Sequence, residues 1–204
     1  MGHDLEPLLR EIRGCRHCIE HPDTKPLPHE PRPVLQVSAT ARICICGQAP
    51  GTRVHASGIP FTDPSGDRLR DWMGVNEEEF YDTSRVAIVP MGFCFPGLDA
   101  KGGDLPPRKE CAALWRACLF ENLPQFELIL LVGTYAQSWH MGKARGKTLT
   151  ETVKAWDPDS LKDEGPTHIP LPHPSWRNNV WLKKNPWFAI RVLPALKRAV
   201  RARL

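Results

Sequence analysis

Two loops that lie far apart in the chain constrain the fold more than any other feature, because each follows a short apolar run. The first loop is segment 47–51, Gly-Gln-Ala-Pro-Gly, directly after Ile-Cys-Ile-Cys at 43–46. The second is segment 173–178, His-Pro-Ser-Trp-Arg-Asn, after Ile-Pro-Leu-Pro at 169–172. Such runs predict buried strands. Open α/β sheets bind their ligands in the loops at the carboxyl ends of their strands.

The order of apolar runs and helical patterns along the chain predicts an α/β protein. Strands are expected at 42–46, 86–89, 128–132 and 168–171. Short apolar strands that alternate with helices are typical of a parallel sheet covered on both faces. We therefore predict a three-layer α/β/α fold with a central four-stranded, mainly parallel sheet, in a single domain over residues 1–204. Helices are expected at 5–13, about 65–73 with Ser65 near the cap, 108–119, 135–140, 150–156 and 187–204, with Pro194 bending or splitting the last one.

The composition predicts a protein of the cytoplasm. No apolar stretch approaches the roughly 20 residues that span a bilayer, and the first residues lack the pattern of a secretory signal. Seven cysteines in a cytosolic chain favour metal or redox chemistry over a disulfide framework. A net charge of +4 is compatible with a nucleic acid partner but does not by itself indicate one. We expect a cytoplasmic monomer with no membrane partner.

A further segment, 58–66, extends the first loop and reads Gly-Ile-Pro-Phe-Thr-Asp-Pro-Ser-Gly. It adds an aromatic residue, Phe61, and a carboxylate, Asp63. Together with the His-Pro-Ser triplet, these segments resemble motifs A and B of the uracil-DNA glycosylase superfamily, and the Asp before Ser-Gly resembles family 5 of that superfamily. The resemblance extends from residue 15 to about residue 187. It implies DNA that contains a damaged base as the partner.

The resemblance also implies a pocket that receives a base flipped out of the DNA. Phe61 would stack on this base. Cleavage of the N-glycosidic bond develops positive charge on the sugar, which the Asp63 carboxylate would stabilise while it orients the attacking water. A turn residue before Pro64 is the alternative for Asp63. Gln48 of the first loop would contribute a hydrogen bond in the pocket. The whole loop would form the pocket floor: Gly47, Gln48, Ala49, Pro50 and Gly51.

Two residues depart from the pattern of the superfamily. Ala49 stands where the first glycosylase family has an acidic residue and the mismatch-specific family an Asn, so catalysis is expected to rest on Asp63. Pro90 stands where the resembling families carry an Asn that pairs with the uracil edge, and proline has no N–H to donate. We expect backbone groups around Met91 and Gly92 to read the base instead. A different damaged base, or a low activity, is the alternative.

The second loop matches motif B. Its histidine, His173, would donate a hydrogen bond to the base oxygen that becomes anionic as the bond breaks. Ser175 and Arg177 would bind phosphate, and Trp176 would press into the duplex where the base leaves. Asn178 completes the expected DNA-binding residues.

Four cysteines resemble the ligands of the family 4 glycosylases. Cys15 and Cys18 form a CxxC pair. Cys94 precedes Phe-Pro, and Cys111 lies in the next predicted helix. The resemblance implies a [4Fe–4S] cluster. Zinc on the same thiolates is the metal alternative, and four unlinked thiols are the other. The remaining three cysteines are expected in the core as small apolar residues: Cys44, Cys46 and Cys118.

These observations predict a DNA glycosylase of base excision repair that hydrolyses the N-glycosidic bond of a deaminated base, with uracil the favoured base. No lysine lies within the matched motifs, so no lyase activity is expected. One alternative is a catalytically weak protein of the same fold that binds DNA damage. The other is an iron–sulfur or zinc protein that acts on free nucleotides.

Overall fold

The centre of the protein is a sheet of four parallel strands in the order β2-β1-β3-β4. The computed structural model describes residues 5–158 and 166–204. Almost every strand residue is buried, because helices cover both faces, and this explains why the strands read as continuous apolar runs. The predicted three-layer fold is confirmed. The strand bounds are β1 Ile43–Cys46, β2 Val86–Ile88, β3 Leu128–Val132 and β4 Thr167–Leu171.

Ten α-helices surround the sheet in the described part of the chain, and none of these is long and apolar enough to cross a membrane. Three short stretches of other helix types accompany them, with 3₁₀ geometry at Gly142–Ala144 and Trp176–Asn178 and π geometry at Phe188–Val192. The α-helices are α1 Leu5–Arg13, α2 His17–Glu20, α3 Thr52–Ser57, α4 Pro64–Met73, α5 Glu77–Tyr81, α6 Lys109–Glu121, α7 Thr134–Met141, α8 Leu149–Ala155, α9 Asn179–Lys184 and α10 Leu193–Arg201.

The two faces of the sheet form two separate parts of the core. Ile43 and Ile45 pack on the face covered by α4, α5, α8 and α10. Cys44 and Cys46 pack on the opposite face, which α1, α6 and α7 cover, so their predicted burial is confirmed. The prediction that Cys118 belongs to the core is wrong, because its place on α6 leaves the thiol partly exposed.

The strand order brings the two loops of the sequence to one edge of the sheet. From β1 the chain moves outward to β2, then crosses back to β3 on the other side of β1 and continues to β4. All pairs are parallel, so the carboxyl ends of β1 and β4 open on the same edge. A reversal of strand order of this kind creates the crevice in which α/β sheets bind ligands.

The start of α4 differs from the prediction. Asp63, rather than Ser65, is the N-cap: its side chain accepts a hydrogen bond from the N–H of Gly66, and Pro64 lies in the first turn. At the other end of the chain, Pro194 lies in the first turn of α10. The π-helical stretch Phe188–Val192 runs directly into α10, so the last helical run divides at this proline, as predicted.

Candidate active site

One cavity at the carboxyl edge of the sheet joins the predicted segments. Its empty space amounts to about 530 Å³ when the open solvent at its mouth is counted, and about 70 Å³ of it is available to the centres of water-sized molecules. Both loops and the segment after the first loop contribute to it, together with a residue after β2 and one from the loop that precedes α6. The lining includes Gly47, Gln48, Ala49, Pro50, Gly51, Phe61, Asp63, Pro90, Asp104 and His173.

The backbone at Phe61 is strained, and one glycine, Gly66, makes its position possible. Phe61 has a φ of 56°, a left-handed conformation that is uncommon for a bulky residue. Its ring lies over Gly47, where an added Cβ would be in ordinary van der Waals contact with Cζ at 3.4 Å. At Gly66 an added Cβ would collide with the carbonyl oxygen of Phe61. The ring also meets Phe80 edge to face, with centroids 6.1 Å apart, so it is held from two sides.

Asp63 combines the two roles that its sequence context allows. Its Oδ1 accepts a hydrogen bond from the N–H of Gly66 at 3.3 Å, as a helix N-cap does. The same residue lines the cavity, where its negative charge acts on His173. A capping role therefore fixes the carboxylate at the wall of the pocket, with a second oxygen left for other partners.

The ring of His173 is held in one tautomer. The backbone N–H of Ser175 donates to Nδ1 at 3.2 Å, so Nδ1 is the unprotonated nitrogen and Nε2 carries the proton of the neutral ring. Burial lowers the pKa of His173, and the opposing effect of Asp63 is smaller. Asn178 fixes the loop by donating from its side chain to the carbonyl of His173 at 2.7 Å. The result is a neutral imidazole with an N–H donor at the cavity.

A wider groove opens at the mouth of the cavity, and the four predicted DNA-binding residues lie on it: Ser175, Trp176, Arg177 and Asn178. Trp176 is 73% exposed, which is unusual for a large aromatic side chain. Its ring lies 5.8 Å from the guanidinium carbon of Arg177. Arg53, which no motif predicted, lines the same groove and adds a second cation. The arrangement offers positive charge and an exposed ring beside the cavity.

Met91 and Gly92 do not take the place that the sequence predicted for them. Both are buried, and their N–H groups donate to the first loop, from Met91 to Gly47 O at 2.9 Å and from Gly92 to Gln48 O at 3.0 Å. These donors hold the loop in position and are therefore not available to a base. Only Pro90 of this segment lines the cavity.

The four predicted metal ligands lie together on the other side of the β2 loop. They line one small cavity, with Ile12, Phe93 and Trp115 among its apolar neighbours. They reach it from four places: Cys15 before α2, Cys18 in α2, Cys94 after β2, and Cys111 in α6.

Three of the four thiols in this cavity resist the loss of their protons. Burial raises the pKa of Cys18 to about 11 and the pKa values of Cys94 and Cys111 to about 12. The N–H of Phe93 donates to the sulfur of Cys111 at 3.3 Å, a contact of the kind that tunes metal-bound thiolates. In the part of the chain that the structure describes, no three Cys, His, Asp or Glu side chains are grouped closely enough to hold a single metal ion.

The fold and the cavity define the class of this protein: a three-layer α/β protein with a ligand pocket at the carboxyl edge of a parallel sheet. A model of the Uracil DNA glycosylase superfamily matches residues 35–197, which include both loops, and the chain belongs to this superfamily. Membership indicates a glycosylase, a hydrolase that acts on DNA. Two of the four clustered cysteines, Cys15 and Cys18, lie before the matched range.

Proposed function

We propose that this protein excises a deaminated base, with uracil the favoured base, from DNA in base excision repair. The observation that carries the proposal is the convergence of Phe61, Asp63 and His173 on one cavity beside the first loop. In this proposal the enzyme hydrolyses the N-glycosidic bond and leaves an abasic site. We expect no lyase activity, because none of the described lysines lines the cavity. None of the seven cysteines forms a disulfide, which suits a reducing compartment such as the cytosol.

The damaged nucleotide must leave the base stack before it can enter the cavity. Trp176 projects from the rim and would occupy the gap that the base leaves, which offsets part of the few kcal/mol that extrusion costs. Arg53 and Arg177 flank the mouth and would bind phosphates on either side of the flipped nucleotide. Inside, the base would stack on Phe61.

The charges that develop on the two sides of the breaking bond would then both be stabilised. The Nε2–H of neutral His173 donates to the base oxygen on which negative charge develops, and a fixed donor of this kind needs no reorganisation in the transition state. The Asp63 carboxylate lies at the same cavity and stabilises the positive charge on the sugar. The two groups work on opposite sides of one bond.

Recognition of the base would rest on Gln48. Pro90 offers no donor, and the N–H groups of Met91 and Gly92 are already bonded within the protein. The side-chain amide of Gln48 is half-buried at the cavity, carries both a donor and an acceptor, and has no hydrogen-bond partner among the described residues. An amide can bond to the edge of uracil, and it can turn over to bond to the edges of other deaminated bases.

The four clustered cysteines are proposed to hold a [4Fe–4S] cluster. Four thiolates are the usual ligands of such a cluster, and each of them binds a different iron. Zinc on the same four thiolates is the metal alternative. The cluster would supply a covalent link between the N-terminal helices, the β2 loop and α6.

The test of the proposed function is a single-turnover assay on oligonucleotides that carry uracil, hypoxanthine or xanthine, followed by alkali to break the abasic sites. We expect cleavage of the uracil strand after alkali and none before it. A protein that binds these oligonucleotides tightly but releases no base would be the weak damage binder that Ala49 and Pro90 favour. An affinity for DNA that barely changes with salt concentration would instead favour a protein that acts on free nucleotides, because contacts to DNA phosphates give a steep salt dependence.

A further inference from the structure

A second carboxylate, Asp104, lies at the candidate active site. It lines the cavity together with Asp63 and His173, and it also lines the groove at the mouth. It approaches the first loop closely, since its Oδ2 would lie 3.2 Å from a Cβ placed on Gly51. Neither loop motif contains it, because it belongs to the loop between β2 and α6.

The loop that carries Asp104 is held in a defined shape. Oδ1 of Asp99 accepts hydrogen bonds from the N–H groups of Lys101 at 2.7 Å and Gly103 at 2.9 Å. The N–H of Asp99 donates back to Gly103 O at 2.7 Å, and Leu98 bridges with Asp104. These contacts place residue 104 at the cavity wall before any ligand binds.

The carboxylate of Asp104 is available for chemistry, whereas that of Asp63 is partly committed to capping α4. Among the described residues no group donates a hydrogen bond to the side chain of Asp104, while Asp63 accepts from Gly66. Asp104 is exposed to solvent, and its partial burial still raises its pKa; Arg177 opposes this effect, and the nearby charges of Asp63 and Asp99 add to it. A carboxylate in these surroundings is a stronger proton acceptor than one in water.

We propose that Asp104 is the general base of the reaction and accepts the proton of the attacking water. The proposal rests on the glycosylase function proposed above. The bond between the sugar C1′ and the base nitrogen breaks, and its electron pair leaves with the base. The oxygen of water bonds to C1′, and the water proton passes to Asp104. Asp63 stabilises the sugar cation and His173 the departing base. Asp104 thus supplies the function that Ala49 lacks.

The test compares Asp104→Asn with Asp71→Asn in the single-turnover assay on the best substrate. Both variants remove one negative charge, and Asp71 is an exposed residue of α4 that lines neither the cavity nor the groove. We expect Asp104→Asn to lose about 10²–10⁴-fold in cleavage rate, the usual contribution of a general base. Asp71→Asn should stay near the wild-type rate. The acid limb of the pH–rate profile that belongs to this base should disappear in Asp104→Asn.

Binding to DNA with a neutral abasic analogue checks that the variant is folded and competent. We expect Asp104→Asn to bind this DNA as tightly as the wild type does. Near-normal cleavage by Asp104→Asn, or an equal loss in Asp71→Asn, would overturn the role of Asp104 and leave the proposed function intact. A wild-type protein that cleaves none of the damaged strands would overturn both.

Discussion

Arg116 donates a hydrogen bond from its guanidinium to Sγ of Cys46 at 3.3 Å, inside the core and one residue before the first loop begins. The arginine is fully buried, and it also donates to the carbonyl of Pro90 at 3.0 Å. It therefore ties the ends of β1 and β2, which lead to the cavity, to α6. The hydrogen bond with Cys44 and the charge of Arg116 lower the pKa of Cys46, against the effect of burial.

Replacing this arginine should destabilise the protein. Arg116→Met keeps the length of the side chain but leaves the buried carbonyls without their donor, and an unsatisfied buried group costs about 1–3 kcal/mol. We expect a lower free energy of unfolding in denaturant titrations, with Lys109→Met, at an exposed position of the same helix, as the control. Equal free energies of unfolding in the two variants would mean that the buried hydrogen bonds of Arg116 make no net contribution to stability.

The double role of Asp63 can be separated with two substitutions. Asn is as good an N-cap as Asp, so Asp63→Asn should keep the stability of α4 while it loses the charge that acts on the sugar. Asp63→Ala should lose both, with a fall of about 0.5–2 kcal/mol in the free energy of unfolding. We expect cleavage to fall in both variants and the melting temperature to fall only in Asp63→Ala. Full activity of Asp63→Asn would leave this residue with capping alone.

The folded protein should resist protonation of His173. Burial lowers the pKa of this ring from its ordinary value of 6.5, so the unfolded chain takes up this proton at a higher pH than the folded chain does. The unfolded state then binds more protons, and stability falls as the pH drops below about 6.5 towards the lowered pKa. His173→Gln should lose this part of the pH dependence. Unfolding titrations at pH 7.5 and 5.5 measure the change in the free energy of unfolding between the two pH values. An equal change in the wild type and in His173→Gln would contradict the assignment.

Phe61 should matter more for cleavage than for binding to undamaged DNA. Phe61→Ala removes a base–aromatic contact worth about 1–3 kcal/mol. Phe61→Leu is the matched variant, because it keeps the apolar bulk against Phe80 but has no flat ring to stack. We expect both variants to cleave slowly while they bind undamaged duplex normally, in single-turnover and filter-binding measurements. A leucine variant with the wild-type rate would show that the residue fills space and does not stack.

Iron content tests the proposed cluster. Anaerobically purified wild-type protein should be yellow-brown, and alanine at any one of the four clustered cysteines should lower both iron content and stability. Cys118→Ala should keep both, since its partly exposed thiol lies outside the cluster cavity. Colourless, folded wild-type protein would remove the cluster, and stoichiometric zinc in that protein would establish the metal alternative.

The sequence predicted the sheet well because each strand is a continuous apolar run; β3, over Leu128–Val132, has the bounds that were expected. The pocket residues of the two motifs were also predictable, since strand order places both loops on one edge. Asp104 and Arg53 were not, because a loop brings Asp104 to the site and α3 brings Arg53, and nothing in their local sequence marks them. Met91 and Gly92 were misplaced, because the direction of a backbone N–H depends on which loop packs beside it.

At position 61 the backbone and the side chain favour different residues. The left-handed conformation costs of order 1–3 kcal/mol, and glycine would adopt it without strain. Glycine would, however, give up the contact of the ring with Phe80 and the core, together with the ring proposed to stack on the base. An aromatic residue at this position therefore offsets with its own packing the strain that its backbone introduces.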